Sequence, residues 1–179
     1  MAFLTEKQLN ELGLKSFGKN VYISDKASIY SPHNIEIGNN VRIDDFCILS
    51  PNNRLVIKNN IHISCYASII GAGEVILEDH TGLSGRVSIY SSNDDYLGDY
   101  FTNPMSPSEF TNVTCGTVWL KRHVIVGSSS TILPNVILEQ GVAVAANSVV
   151  TKSFGEFQII GGTPAKFLKN RRRGLLNFE

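Results

Sequence analysis

The sequence predicts an all-β fold: a parallel β-helix solenoid built from six-residue repeats, with a short helix at each end. Three observations predict it. An aliphatic residue returns every six positions, at Ile37, Ile43 and Leu49, then Ile57, Ile63 and Ile69, then Leu77, Leu83 and Ile89, and later at Leu120, Val126, Ile132, Leu138, Val144 and Val150. Four places after these rungs comes a second ladder of small or β-branched residues, among them Val41, Cys47, Ala67, Thr81, Val87, Ser130, Val142 and Ser148. Turn-forming triplets recur at one point of successive repeats: Gly38-Asn39-Asn40, Lys58-Asn59-Asn60 and Glu78-Asp79-His80. Self-similarity at a short fixed period marks a solenoid.

Six is a poor match to the helical period of 3.6 and three times the strand period of two. One unit is therefore a short strand plus a turn, and three units make a three-sided coil. The spacing agrees: 57−37=20, 77−57=20 and 138−120=18. Each rung then stacks on its counterpart one coil away, about 4.8 Å distant, and each buried aliphatic side chain contributes about 1.5–3 kcal/mol.

The elements follow in chain order. Residues 1–20 read as a cap and linker. Thr5-Glu6-Lys7-Gln8 is a capping box, Leu4 and Leu9 suit a hydrophobic staple, and Gly13 suits the helix stop. This helix covers the first coil, whose strand edges need protection. Ile23, Ile29 and Ile35 start the beat, and the β-helix domain spans 21–163. Rungs Ile89 and Leu120 are 120−89=31 apart where 6 is expected, so about 25 residues are inserted as an excursion over 91–117. A loop of that length in a compact domain points to function. Pro134-Asn135 suits the centre of a type II turn. Residues 164–179 are predicted as a closing helix and tail, with Phe167 and Leu168 inward and Lys166, Lys169, Arg171, Arg172 and Arg173 outward. Trp119 and Ile125 fall off the core ladder and face outward.

Sixteen Lys and Arg balance sixteen Asp and Glu, and outside a small basic cluster at the C-terminus the charges are spread out. That leaves no footprint for nucleic acid or for membrane insertion. Met1-Ala2-Phe3-Leu4 leads into a polar helix and not an apolar signal core, so a cytoplasmic protein is expected. Cys47, Cys65 and Cys115 have no metal-binding or paired spacing, and Cys47 falls on the small-residue ladder, where a packed, reduced thiol is expected.

The repeat [LIV]-[GAED]-x-x-[STAV]-x resembles that of the hexapeptide-repeat, left-handed β-helix acyltransferases, over nearly the whole chain. Val126-Gly127-Ser128-Ser129-Ser130-Thr131-Ile132-Leu133-Pro134-Asn135-Val136 resembles the family's IGxxxxILPGV. Val144-Ala145-Ala146-Asn147-Ser148-Val149-Val150-Thr151-Lys152 resembles VGAGSVVTK, and Ile160-Gly161-Gly162-Thr163-Pro164-Ala165-Lys166 resembles the GxPAK box. The resemblance implies left-handed coiling, a homotrimer, and an acyl donor, acetyl-CoA, lying in a groove between two subunits. It places Ser128, Ala146, Thr151 and Lys152 against CoA, with Lys152, Lys166 and Arg171 meeting its phosphates. It further implies acetylation of a hydroxyl or amino group on a sugar or nucleotide-sugar, in surface polysaccharide synthesis, with no metal.

The usual base of such enzymes, a His in a segment like YTHNHDY, is replaced here by Tyr90-Ser91-Ser92-Asn93-Asp94-Asp95-Tyr96. Three alternatives stay open. Asp94 or Asp95 serves as base or acceptor anchor, since paired carboxylates raise one another's pKa. His80 serves, stacked with His123 above Asn60 and Asn40 at one corner. Or a free amine needs no strong base and positioning suffices. Two other function classes are weighed: a γ-carbonic-anhydrase-like zinc enzyme using His33, His62, His80 or His123, which lack that enzyme's close His pair, and a non-catalytic β-helix scaffold, for which a CoA groove has no use.

Overall fold

A computed structural model describes residues 2–178; Met1 and Glu179, the two ends of the predicted cap and tail, lie outside the described residues. The chain winds as a left-handed parallel β-helix of about seven coils. Among the described residues its strands form three long sheets of six, eight and six strands. Coil 3 is typical: Leu55–Ile57 lies in the first sheet, Ile61–Ile63 in the second and Ser68–Gly71 in the third. Coil 4 repeats this with Val75–Leu77, Gly82–Leu83 and Ser88–Tyr90, and coil 5 with Val118–Leu120, Ile125–Val126 and Thr131–Ile132.

The parallel register joins the predicted rungs: Ile57 to Leu77, Leu77 to Leu120, Leu120 to Leu138, Ile63 to Leu83, and Ile89 to Ile132. All are buried in the prism. The ladder continues straight across the 91–117 excursion, which leaves and re-enters at one corner and is closed at its base by the antiparallel pair Ser92–Asn93 and Thr114–Cys115. Outside the core ladder, Ile125 is exposed and Trp119 half-buried, as predicted.

The corners explain the turn residues. Between the first and second sheets, Asn20, Asn40, Asn60, His80 and His123 all take positive φ. Their side chains form a ladder, Asn20 to Asn40 at 2.9 Å and Asn40 to Asn60 at 3.0 Å. At the corner after the second sheet, Phe46, Tyr66, Arg86, Ser129 and Asn147 take the same conformation. Asn135 has φ 63, as the second central residue of a type II turn requires.

The N-terminal helix α1 (Glu6–Glu11) has the predicted Thr5 capping box, and Gly13 follows with φ 80. The solenoid starts earlier than predicted, because Ser16–Phe17 already pairs with Ile35–Ile37. The C-terminal helix is corrected. Gly162 turns the chain, and Lys166–Asn170 returns as a strand antiparallel to Gln158–Gly161, followed by a 3-10 segment over Gly174–Phe178. Phe167 and Leu168 are exposed and not turned inward. The open edge of the last coil needs backbone partners, and a returning strand supplies them where a helix cannot. Cys47 is buried with its thiol pushed up to about 11, chiefly by burial, consistent with a packed, unreactive thiol. No helix among the described residues is long and apolar enough to cross a membrane.

Candidate active site

A groove of about 320 Å³ runs along the second sheet and its following corner over coils 3 to 5. His62 and Ser64 supply one end, Gly82, Ser84 and Gly85 the middle, and Ile125 and Ser128 the other end. Its depth comes from a missing side chain. Gly82 pairs with His62 on one side and Ile125 on the other. A Cβ built on Gly82 would meet nothing nearer than Ile125 Cγ1, at 4.0 Å. Glycine inside a strand otherwise weakens it and signals a close approach of another group.

Beyond Ser128 the same corner continues with exposed Ala146. Gly127 packs directly against it: a Cβ there would lie 2.5 Å from the Ala146 amide nitrogen. This strip has no bulk, so a thin chain can reach the backbone. Lys166 pairs with Gly161 at the edge of the second sheet and is exposed. Thr151 and Lys152 lie elsewhere, at the corner after the third sheet, with Lys152 Nζ 5.7 Å from the Phe154 ring. Arg171 lies at the corner between the first and second sheets, where Nη1 donates to the carbonyls of His123 (2.9 Å) and Gly141 (3.0 Å). Burial lowers its pKa. The chain thus brings Ser128, Ala146 and Lys166 to one side and leaves Thr151, Lys152 and Arg171 on other edges.

Of the three catalytic candidates, the two aspartates share the excursion and His80 lies apart from them. Asp94 is exposed on the excursion. The Asp95 carboxylate accepts hydrogen bonds from the amides of Leu97 (2.9 Å), Gly98 (3.1 Å), Asp99 (2.7 Å) and Tyr100 (2.8 Å). These bonds, that from Leu97 first, hold its pKa below the ordinary value. It knots the loop. His80 stacks on His123 with ring centroids 5.1 Å apart and lies 3.4 Å from the Asn60 amide, at the corner between the first and second sheets, an edge distinct from both loop and groove. Ser84, Gly82 and His62 are groove residues that sequence reasoning did not select. Gly82 carried the available signal, as a glycine where neighbouring coils place Arg42, His62 and Ile125. Among the described residues no three His, Cys, Asp or Glu side chains converge as a metal site.

No protein-family model matches the chain. It is 52% identical over 180 residues to a dTDP-4-amino-4,6-dideoxy-D-glucose acyltransferase of Escherichia coli, covering 100% of this chain and 94% of that protein. The chain belongs to the hexapeptide-repeat acyltransferases. It is an enzyme of that family. The fold also matches the N-acyltransferase AntD of Bacillus cereus. Its S84A variant in complex with dTDP-4-amino-4,6-dideoxyglucose and Coenzyme A superposes with a TM-score of 0.95 at 41% identity, over 99% of this chain and 95% of that one. AntD with dTDP and 3-hydroxybutyryl-CoA gives a TM-score of 0.94 at 42% identity, over 98% and 93%. A hexapeptide-repeat acetyltransferase of Vibrio cholerae shares the fold more distantly, with a TM-score of 0.63 at 17% identity over 93% and 76%.

Proposed function

We propose that this acyltransferase moves an acyl group, acetyl in the simplest case, from an acyl-CoA to the amino group of a dTDP-4-amino-4,6-dideoxy sugar. The 52% identity running the full length of the chain to an acyltransferase of that nucleotide-sugar carries the proposal. The small-residue corner at Gly127, Ser128 and Ala146 supports it, since a pantetheine arm needs such a bed.

The chemistry is acyl transfer without a covalent enzyme intermediate. The free amine attacks the thioester carbonyl, a tetrahedral oxyanion forms, the C–S bond breaks, and the proton lost by nitrogen ends on the thiolate. Ser84, which lines the middle of the groove, donates to the oxyanion in this reading, together with backbone N–H groups of the corner. Asp94 anchors the amine. Asp95 is assigned to shaping the loop, because an ionised carboxylate already accepting four amides is a weak base. AntD was crystallised as S84A and as D94A variants, and this chain has Ser84 and Asp94 under the same numbers. His80 is left as a corner residue.

The working unit we propose is a homotrimer. The excursion presents Tyr96, Leu97 and Met105 at 84–90% exposure, apolar side chains that a neighbouring subunit would cover. In a trimer this loop covers a neighbour's groove, and Lys152 from one chain can approach the corner of the next. The enzyme works in the cytoplasm on a nucleotide-activated sugar, the form in which residues enter surface polysaccharide. Thiol release on mixing acyl-CoA with the dTDP-amino sugar tests the reaction. Release only with a hydroxyl sugar at that carbon would replace N-acylation by O-acylation. Light scattering tests the trimer, and a monomer would remove the shared groove.

A further inference from the structure

We infer that the groove is polarised: its N-terminal arm is the acceptor subsite, and His62 is the side chain that holds the sugar there. This rests on the nucleotide-amino-sugar function proposed above. The two ends of the groove differ in chemistry. Above Ser84 the corner carries Ser128, Ser129, Ala145 and Ala146, which offer little beyond backbone and suit a slim, flexible carrier. Below Ser84 come Ser64 and Asp44, with His62 and Arg42 beside them on the sheet. Next to these the corner bears stacked Phe46 and Tyr66, centroids 5.0 Å apart, with Lys26 5.7 Å from the Phe46 ring and Arg86 5.2 Å from the Tyr66 ring. Directional hydrogen-bonding groups and cations beside aromatic rings suit a sugar diphosphate better than an aliphatic amide arm.

His62 is built for contact. Its Nε2 lies 2.8 Å from Asp44 Oδ2, and Asp44 Oδ1 accepts from Arg42 Nε at 2.7 Å. Asp44 is buried, in a column that is serine in the neighbouring coils (Ser24, Ser64, Ser84). Burial alone would raise its pKa, but the hydrogen bonds from His62 and Arg42 outweigh this and hold it below the usual value. An ionised carboxylate only accepts, so Nε2 carries the hydrogen that Asp44 takes, and Nδ1 is left for another partner. Nδ1 has no partner among the described residues. The next coil places Gly82 beside His62, so no side chain covers the ring. The ligand group this arrangement takes is a hydroxyl or an amine on a sugar, either of which pairs with Nδ1. Asp44 acts through His62 as a positioning residue.

Steady-state kinetics on full-length enzyme decide it, with acyl-CoA and dTDP-amino sugar varied separately. His62→Ala should raise the acceptor KM about tenfold, the size of one lost hydrogen bond, with acyl-CoA KM unchanged and kcat within about threefold. His62→Asn, whose amide can fall near the Nδ1 position, should recover part of the loss. A purely structural His62 would move neither KM. An unchanged acceptor KM overturns the inference, as does a raised acyl-CoA KM or a collapse of kcat at unchanged acceptor KM. If the wild type turns over no dTDP-amino sugar, the proposed reaction fails separately. Calorimetric titration with dTDP-sugars bearing a hydroxyl at that carbon then decides His62: His62→Ala must still weaken binding, and equal affinity overturns the assignment.

Discussion

Gly127 lies so close to Ala146 that a β-carbon added to it would stand 2.5 Å from the Ala146 amide nitrogen and 2.8 Å from the Val144 carbonyl oxygen. The obstacles are backbone atoms, held by the hydrogen bond from Gly127 N to Val144 O at 2.9 Å, so they cannot swing aside. Gly127→Ala should therefore push coils 5 and 6 apart at the proposed donor corner. The expected destabilisation is about 1–3 kcal/mol, a fall in Tm of roughly 2–4 °C per kcal/mol for a chain of this size. An unchanged melting curve would mean the corner is looser than its distances indicate.

Gly82 is the opposite case. Its added β-carbon meets only Ile125 Cγ1, at 4.0 Å, and the residue lies in a strand where a β-branched side chain fits. Gly82→Val should leave Tm within about 1 kcal/mol equivalent of wild type while filling the groove beside Ser84. Turnover should fall at least about tenfold, the effect of displacing reacting groups from alignment. A stable Gly82→Val enzyme with full activity would move the active site off the second sheet.

The architecture was legible because burial here is one-dimensional. Each buried side chain contacts its counterpart one coil away, so the six-residue beat, the corner Asn residues and the 91–117 insertion could all be read before any coordinates. The C-terminal strand could not. Pro164 and the basic residues after it fit a helix, and only the unpaired edge at Gln158–Gly161 makes an antiparallel strand preferable. The candidate groove was half legible. Ser128 and Ala146 fall on one corner, but Asp44 and His62 are 18 residues apart in sequence and meet only through the coil-to-coil register. Asp95 looked like a partner for Asp94, whereas its oxygens are taken by the four amides that follow it.

Those four bonds separate the two aspartates experimentally. Asp95→Ala should abolish hydrogen-exchange protection at Leu97, Gly98, Asp99 and Tyr100, and lower turnover through a loosened loop. Asp94→Asn should keep that protection and lose turnover directly. The pH dependence has a definite sign. Asp95 has a folded pKa below its unfolded value of about 3.9, so its contribution is full above that value and is lost as pH falls through the lower folded pKa. Protection of the four amides, corrected for intrinsic exchange, should hold at neutral pH and fail only in acid below about pH 4. Failure near pH 6 would point to a different group.

Arg171 and Lys152 were both expected at CoA phosphates, and the fold holds them in different surroundings. Arg171 Nη1 is committed to the carbonyls of His123 and Gly141, tying the chain after the returning strand to coils 5 and 6. Arg171→Ala should cost about 1–3 kcal/mol, because a charged donor leaves two carbonyls, and acyl-CoA KM should not change. Lys152 is exposed at the third corner, with no ion pair among the described residues. Lys152→Ala should leave stability within about 0.5 kcal/mol and raise acyl-CoA KM severalfold, an effect that fades as salt screens the phosphate charge. Paired melting curves and kinetics at two ionic strengths check both. A salt-sensitive rise in acyl-CoA KM from Arg171→Ala at unchanged Tm would return that arginine to the donor site.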